Sequence, residues 1–265
     1  DADYMKIFNK NFSKIRKKFR INESNLFLDF LKKNKINNQK IVTIHLRSSH
    51  LKKLDGETYR SVEPKNYIKT INWLCKKNFK VIKFGNKDLN LKIKNKNFLD
   101  LDKFDLNRSQ FEEIFVNLVS NSYFSICTNS GPSILNFIYD IPCFFSNGVP
   151  MGHSIFFNYK SVSTFKLYYS LISKKFLSIN EIKKMNLDNF RLDTLFANNK
   201  IKLIDNTSDD ILLVTKELIK KIKRNNFKSN LFANKINFKI KADAYCKHSQ
   251  GTVSENFVKK YKNIL

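Results

Sequence analysis

Short apolar runs alternate with amphipathic stretches along most of this chain. Ile41-Val42-Thr43-Ile44-His45-Leu46 is an unbroken run rich in β-branched residues, the pattern of a strand buried on both faces, and Arg47 ends it. Similar runs occupy residues 80–84, closed by Gly85, then 98–101, 123–127, 142–145 and 201–204. Between them the apolar period lengthens. Tyr67, Ile71 and Leu74 share one face of a helix expected over 64–77, with Pro64 near its start. Ser109 is the expected cap of the next helix, with Glu112 in the capping-box position, burying Phe111, Ile114, Phe115 and Leu118. A short polar helix is expected around Asp88 and a capped one at Ser178 with Glu181. A long one follows Asp205-Asn206-Thr207, carrying Ile211, Leu212, Thr215, Leu218 and Ile219.

Strands alternating with helices predict an α/β fold with a doubly wound parallel sheet. The chain divides into an N-terminal helical segment at 1–38, the sheet domain at 39–224 and a basic, Asn-rich C-terminal helical extension at 225–265. In residues 1–34, Phe8, Phe12, Ile15 and Phe19 recur at helical spacing among Lys and Arg, and Ser24 is placed to cap a second helix through Leu31. Such a basic amphipathic helix packs on the domain or lies on a membrane surface. The start at Asp1 suggests a trimmed or partial chain.

Charge sharpens the picture only partly. Net charge is +26 from 49 Lys+Arg against 23 Asp+Glu, a field that favours anionic partners. The excess is mostly Lys spread evenly among Asn and Ile, which also fits an AT-rich coding bias. No RNA-recognition motif, metal-knuckle spacing or basic heptad region is present, so nucleic acid is not an expected partner. Cys75, Cys127 and Cys143 lie inside apolar runs and read as buried thiols in a reducing compartment. Cys246 with His248 lacks further ligands nearby for a metal.

The candidate chemistry sits at two places. Cys127-Thr128-Asn129-Ser130-Gly131-Pro132-Ser133 reads as the end of a strand, a sharp turn and a helix opened by Pro132. Asn129, Ser130, Gly131 and Ser133 would then offer polar groups and free N–H groups to an anion, although the same residues also make ordinary strand-to-helix turns. The other place is the end of the first strand. In a doubly wound sheet the first and fourth strands are neighbours where the winding reverses, and ligands bind off their carboxyl ends. Arg47 there has the planar donor set suited to a diphosphate. His45, two residues back, points to the same face, as a ligand contact or as a core histidine. Asn147 after the fifth strand meets a base or ribose, or simply makes a turn. Arg60 and Lys166 are further phosphate candidates, or solvated charges in so basic a chain. Asp55 and Glu57 read as solvated loop charges. The segment 48–64 is long for a connection, which marks a functional loop. No GxGxxG, Walker A or DxD motif is present, and no metal is required by this reading.

Taken together, Ile44-His45-Leu46-Arg47, Lys65-Asn66-Tyr67, Val81-Ile82-Lys83-Phe84-Gly85, Thr128-Asn129-Ser130-Gly131-Pro132-Ser133 and Ser146-Asn147-Gly148-Val149-Pro150 resemble the glycosyltransferases of bacterial surface-carbohydrate clusters, over about 41–223. More broadly they are similar to the nucleotide-sugar-binding, Rossmann-like C-terminal half of GT-B transferases. The His-x-Arg also resembles that of fucosyltransferases, though Ser48-Ser49-His50 stands where those often carry an acid. The resemblance implies catalytic roles for Arg47, holding the donor diphosphate, and His45 beside it. It implies donor contacts from Gly85, Arg60, Asn129, Ser130, Gly131, Ser133, Asn147 and Lys166. The donor is then a nucleotide-diphosphate sugar, with no separate cofactor, and the acceptor a surface glycan or lipid-linked molecule. The expected location is the cytoplasm, with peripheral contact at the anionic inner face of the membrane as an option. About forty residues precede the first strand, too few for the first domain of a GT-B enzyme. A non-catalytic module binding a nucleotide or anionic glycan is the alternative.

Overall fold

The computed structural model describes residues 23–47, 56–85, 91–189, 191–242 and 244–265. Strands β1 (Ile41–His45), β2 (Lys80–Phe84), β3 (Phe98–Asp100), β4 (Phe124–Cys127), β5 (Cys143–Gly148), β6 (Ser161–Phe165) and β10 (Thr252–Val253) form one parallel sheet in the order β10-β6-β5-β4-β1-β2-β3. β1 pairs with β2 on one side and β4 on the other, with His45 opposite both Phe84 and Cys127. The winding therefore reverses between β1 and β4, as a doubly wound sheet requires. Every residue of β1 is buried, which explains the continuous apolar run there.

Alternate side chains of β1 feed two cores. Val42, Ile44 and Leu46 pack with Tyr67, Ile71 and Leu74 of α2 (Lys65–Lys76) and with Ile211, Val214 and Leu218 of α7 (Ser208–Lys223). Ile41 packs with Phe27 and Phe30 of α1 (Asn25–Lys33) and Ile114 and Leu118 of α3 (Arg108–Ser120). Burial at this level contributes about 1.5–3 kcal/mol per large side chain. The capping expectations hold at Ser24, whose Oγ accepts the Phe27 N–H at 3.2 Å, and at Ser178 with Glu181. At α3 the cap is Asn107, not Ser109, and Gln110 closes the box in place of Glu112. Two capping patterns overlap there, and the one lying further upstream forms. The helices expected at 1–22 and around Asp88, and Asp55, lie outside the described residues.

After β5 the chain departs from expectation. Asn147, expected just after the fifth strand, lies inside β5, where it takes φ +55° at a register shift. β6 was hidden because its Ser-Val-Ser-Thr-Phe pattern buries polar side chains: Ser163 Oγ accepts the Phe156 N–H and Thr164 Oγ1 donates to Asn206 Oδ1 at 2.5 Å. The expected late strand, β9 (Ile201–Ile204), is antiparallel to β7 (Leu167–Ser170) in a small second sheet with β8 (Lys175–Phe176). The C-terminal stretch contains the expected helices, α8 (Leu231–Lys241) and α9 (Glu255–Lys260), but its β10 also forms the edge of the central sheet. The four cysteines are buried and free, with Cys127 Sγ and Cys143 Sγ 3.1 Å apart on neighbouring strands. Among the described residues no helix is long and apolar enough to cross a membrane.

Candidate functional site

A cavity of about 330 Å³ opens beyond the carboxyl ends of β1, β4 and β5. Its walls come from the segments that follow those strands: Glu57, Tyr59 and Arg60 after β1; Asn129, Ser130, Gly131 and Ser133 after β4; His153, Phe156 and Phe157 after β5. Arg191 and Tyr245 reach it from the chain's later part. This is the crevice expected at the reversal of winding.

On the β4 side, Asn129 Nδ2 donates to Val149 O at 2.5 Å, which fixes the turn to the segment after β5. Ser133 Oγ and N both donate to Ser130 O. Residues Gly131–Ser133 form a 3-10 turn, and the α-helix behind it, α4, covers only Ile134–Ile138. The helix expected to begin at Pro132 is thus a tight turn with a short continuation, and its dipole is correspondingly small. A Cβ on Gly131 would meet nothing within 4 Å, so this glycine leaves open space at the cavity wall.

On the β1 side, Glu57 is no solvated loop charge. Its carboxylate contacts the Arg60 guanidinium and lies 3.6 Å from Arg47 Nη2. Arg47 itself is not among the cavity-lining residues; it stands behind Glu57, its N–H bonded to Thr128 Oγ1 at 3.1 Å. The turn carrying Tyr59 and Arg60 is held from afar: Asp193, which opens α6 (Asp193–Asn198), accepts the N–H groups of Thr58 and Tyr59 and the Thr58 hydroxyl. Burial pushes the Tyr59 phenol up to about 12, so it stays protonated and donor-competent at neutral pH.

The far wall is aromatic. His153 stacks on Tyr245 with ring centroids 4.3 Å apart and planes at 12°, and the Arg191 guanidinium lies 5.5 Å from the Tyr245 ring. Arg191 Nη2 is 3.2 Å from His153 Nε2; since a guanidinium only donates, the imidazole accepts there. Burial, then the Arg191 charge, lowers the His153 pKa to about 4, consistent with a neutral ring.

Four sequence candidates lie elsewhere. Asn147 is buried: its Nδ2 donates to the Tyr67 hydroxyl at 2.9 Å and its Oδ1 accepts the Asn206 N–H at 2.7 Å, so it ties β5 to α2 and α7. Lys166 is buried, 2.9 Å from Asp205 Oδ1 and bonded to Ser61 O. Gly85 sits where a Cβ would come within 2.7 Å of Leu46 O; its φ of +137° also favours glycine. His45 packs against that glycine and Phe84, away from the cavity walls. Burial lowers its pKa to about 4, with the Asp102 charge opposing and Arg47 and Lys83 adding to the fall. It is a neutral core histidine.

Of the residues singled out from sequence, Asn129, Ser130, Gly131, Ser133 and Arg60 line this cavity; Tyr59, His153, Arg191 and Tyr245 line it too and were not among them. One signal was available. Only seven of the 49 basic residues are Arg, in a chain where Lys is the default. Three of those seven, Arg47, Arg60 and Arg191, are at or beside this cavity. Among the described residues no group of three or more His, Cys, Asp or Glu is arranged to hold a metal. Compared with family models, curated proteins and solved structures, the chain matches none.

Proposed function

We propose that the chain is a glycosyltransferase, or the donor-binding domain of one, that takes a nucleotide-diphosphate sugar and delivers the sugar to a surface glycan or lipid-linked acceptor. One observation carries the reading. The cavity beyond β1 and β4 sets the guanidiniums of Arg60 and Arg191 and the open Ser130-Gly131 backbone against an aromatic wall of His153, Tyr245, Phe156 and Phe157. Cations and backbone N–H groups suit a diphosphate; flat rings suit a base or sugar face. As the bond from sugar to diphosphate breaks, negative charge grows on the departing oxygen, and Arg60 and Arg191 offset it. Arg47 supports this indirectly, by sharing the Glu57 carboxylate with Arg60.

A second reading has one observation in its favour. Among the described residues that line the cavity Glu57 is the one carboxylate, and two guanidiniums engage it. A base for the acceptor hydroxyl is therefore not evident in this lining, which suits a module that binds a nucleotide or anionic glycan without turnover.

A thermal-shift panel of GDP, UDP, ADP, CMP and their sugars, on wild type, Arg60→Ala and Arg47→Ala, tests the donor site. A ligand at 100 times its Kd stabilises by about 2.7 kcal/mol. A shift with one nucleotide diphosphate, lost in Arg60→Ala and reduced in Arg47→Ala, supports it. No shift at millimolar concentration overturns it. Release of free nucleotide from the matching sugar donor then separates enzyme from binding module.

A further inference from the structure

Helix α8 is locked in place by its inner face and uncovered on its outer one. Ala233, Ile236 and Ile240 are buried, and Asn237 Oδ1 accepts the Val253 N–H at 2.7 Å, tying the helix to β10. Outside, Leu231 is 82% exposed, Phe238 77% and Phe232 45%. Leu231 and Phe238 are seven residues apart, two turns along one stripe, and Lys235 stands between them; Phe232 and Lys239 form the stripe beside it. Three large apolar side chains left in water on one short helix mark an interaction surface, since such residues are ordinarily scattered singly.

We propose that this face of α8 docks on an anionic lipid bilayer. Charge supplies the first argument. Residues 224–250 carry six Lys or Arg and a single acid, in a chain of net charge +26. That field draws the segment to anionic headgroups. The arrangement of the lysines supplies the second. In a protein interface the centre is depleted of Lys and the charges move to the rim. Here Lys235 and Lys239 are exposed in the middle of the apolar stripe. At a bilayer that mixture is favourable: Leu231, Phe232 and Phe238 enter the boundary between headgroups and acyl chains, while the ammonium groups snorkel to the phosphates.

Docking on this face also has a geometric result. The chain leaves α8 and within a few residues reaches Tyr245, which stands in the cavity wall. Tyr245 stands four residues past the end of α8, so chain length alone keeps it within about 14 Å of the docked helix end. The inference concerns where the protein sits and stands independently of the sugar-transfer reading.

Sedimentation of the full chain with large unilamellar vesicles tests it, using phosphatidylglycerol mixed with phosphatidylcholine against phosphatidylcholine alone. Wild type binds the anionic vesicles, binds the neutral ones weakly, and loses binding as salt rises. The pair Leu231→Ser/Phe238→Ser lowers the partition coefficient roughly tenfold with an unchanged melting temperature. The pair Lys235→Glu/Lys239→Glu lowers it by a similar factor or more. Both variants change exposed side chains only, so folding is preserved. Wild type that ignores anionic vesicles overturns the proposal, as do variants that bind like wild type. A wild-type dimer that becomes monomeric in Leu231→Ser/Phe238→Ser overturns it too, because the face is then a contact between copies of the chain.

Discussion

The carboxylate of Asp193 accepts the backbone N–H of Tyr59 at 2.6 Å across 134 positions of sequence. The same group accepts the Thr58 N–H at 2.8 Å and the Thr58 hydroxyl at 2.6 Å. One side chain thus fixes the turn that delivers Tyr59 and Arg60 to the cavity, although Asp193 does not line it. Asp193→Ala removes three hydrogen bonds to a charged acceptor and should cost about 3 kcal/mol in urea denaturation. Nucleotide affinity should fall with it under conditions where the variant stays folded. Unchanged affinity in a folded Asp193→Ala protein would show that the turn holds itself.

Glu57 stands between Arg47 and Arg60, where the proposed diphosphate would meet their cations. A phosphate entering there must displace the carboxylate or share its cations. Glu57→Gln should therefore tighten binding of a nucleoside diphosphate, by about two- to fivefold at low salt, the worth of a partly exposed ion pair. Calorimetric titration reads this directly. Weaker binding in Glu57→Gln would mean that the carboxylate contacts the ligand itself.

Two glycines, one in the cavity wall and one away from it, should respond in opposite ways. Gly131→Ala places a methyl in open space, so stability should change by less than about 1 kcal/mol, while affinity for a bulky anion should drop. Gly85→Ala forces a Cβ to 2.7 Å from Leu46 O at φ +137° and should cost about 2 kcal/mol or more. Chemical denaturation and ligand titration of both variants separate fold from binding.

Acid should destabilise the protein through His45. Its pKa falls from 6.5 in the unfolded chain to about 4 in the fold. Between those values the unfolded chain binds more protons, so stability rises with pH. The contribution is complete above pH 6.5 and is lost as pH falls toward 4, about 3 kcal/mol in all. His153, with its pKa also near 4, acts in the same direction. Urea midpoints at pH 7 and pH 5 should therefore differ more in wild type than in His45→Gln. Equal differences would show that His45 titrates alike in both states.

The part of the central sheet from β1 to β5 was legible because those strands bury nearly continuous apolar runs. The place where β1 meets β4 followed from their doubly wound order alone. The half of the site next to it was legible for the same reason, since Asn129 to Ser133 directly follow a recognisable strand. The other half was hidden by distance: Arg191 and Tyr245 stand in stretches with no local pattern, and only the folded chain brings them to His153. Polar side chains misled in both directions. Asn147 looked like a ligand contact and is a buried tie, because a hydrogen bond to Tyr67 inside the core is indistinguishable in sequence from one to a ligand. Ser161, Ser163 and Thr164 carry no apolar strand signal and yet form a buried strand, because backbone groups and Asn206 satisfy them.

The short strand β10 has a consequence for how the chain behaves as it is made. Among the described residues Thr252 and Val253 form the edge strand that comes latest in the sequence, and they cover the free side of β6. Until they arrive, Ser161–Phe165 presents an open row of backbone donors and acceptors, the kind of template on which one nascent chain can recruit another. This two-residue strand thus acts as a seal. Shortened forms that end before Thr252 would leave the ribosome with that row uncovered, and would depend on chaperones to stay apart.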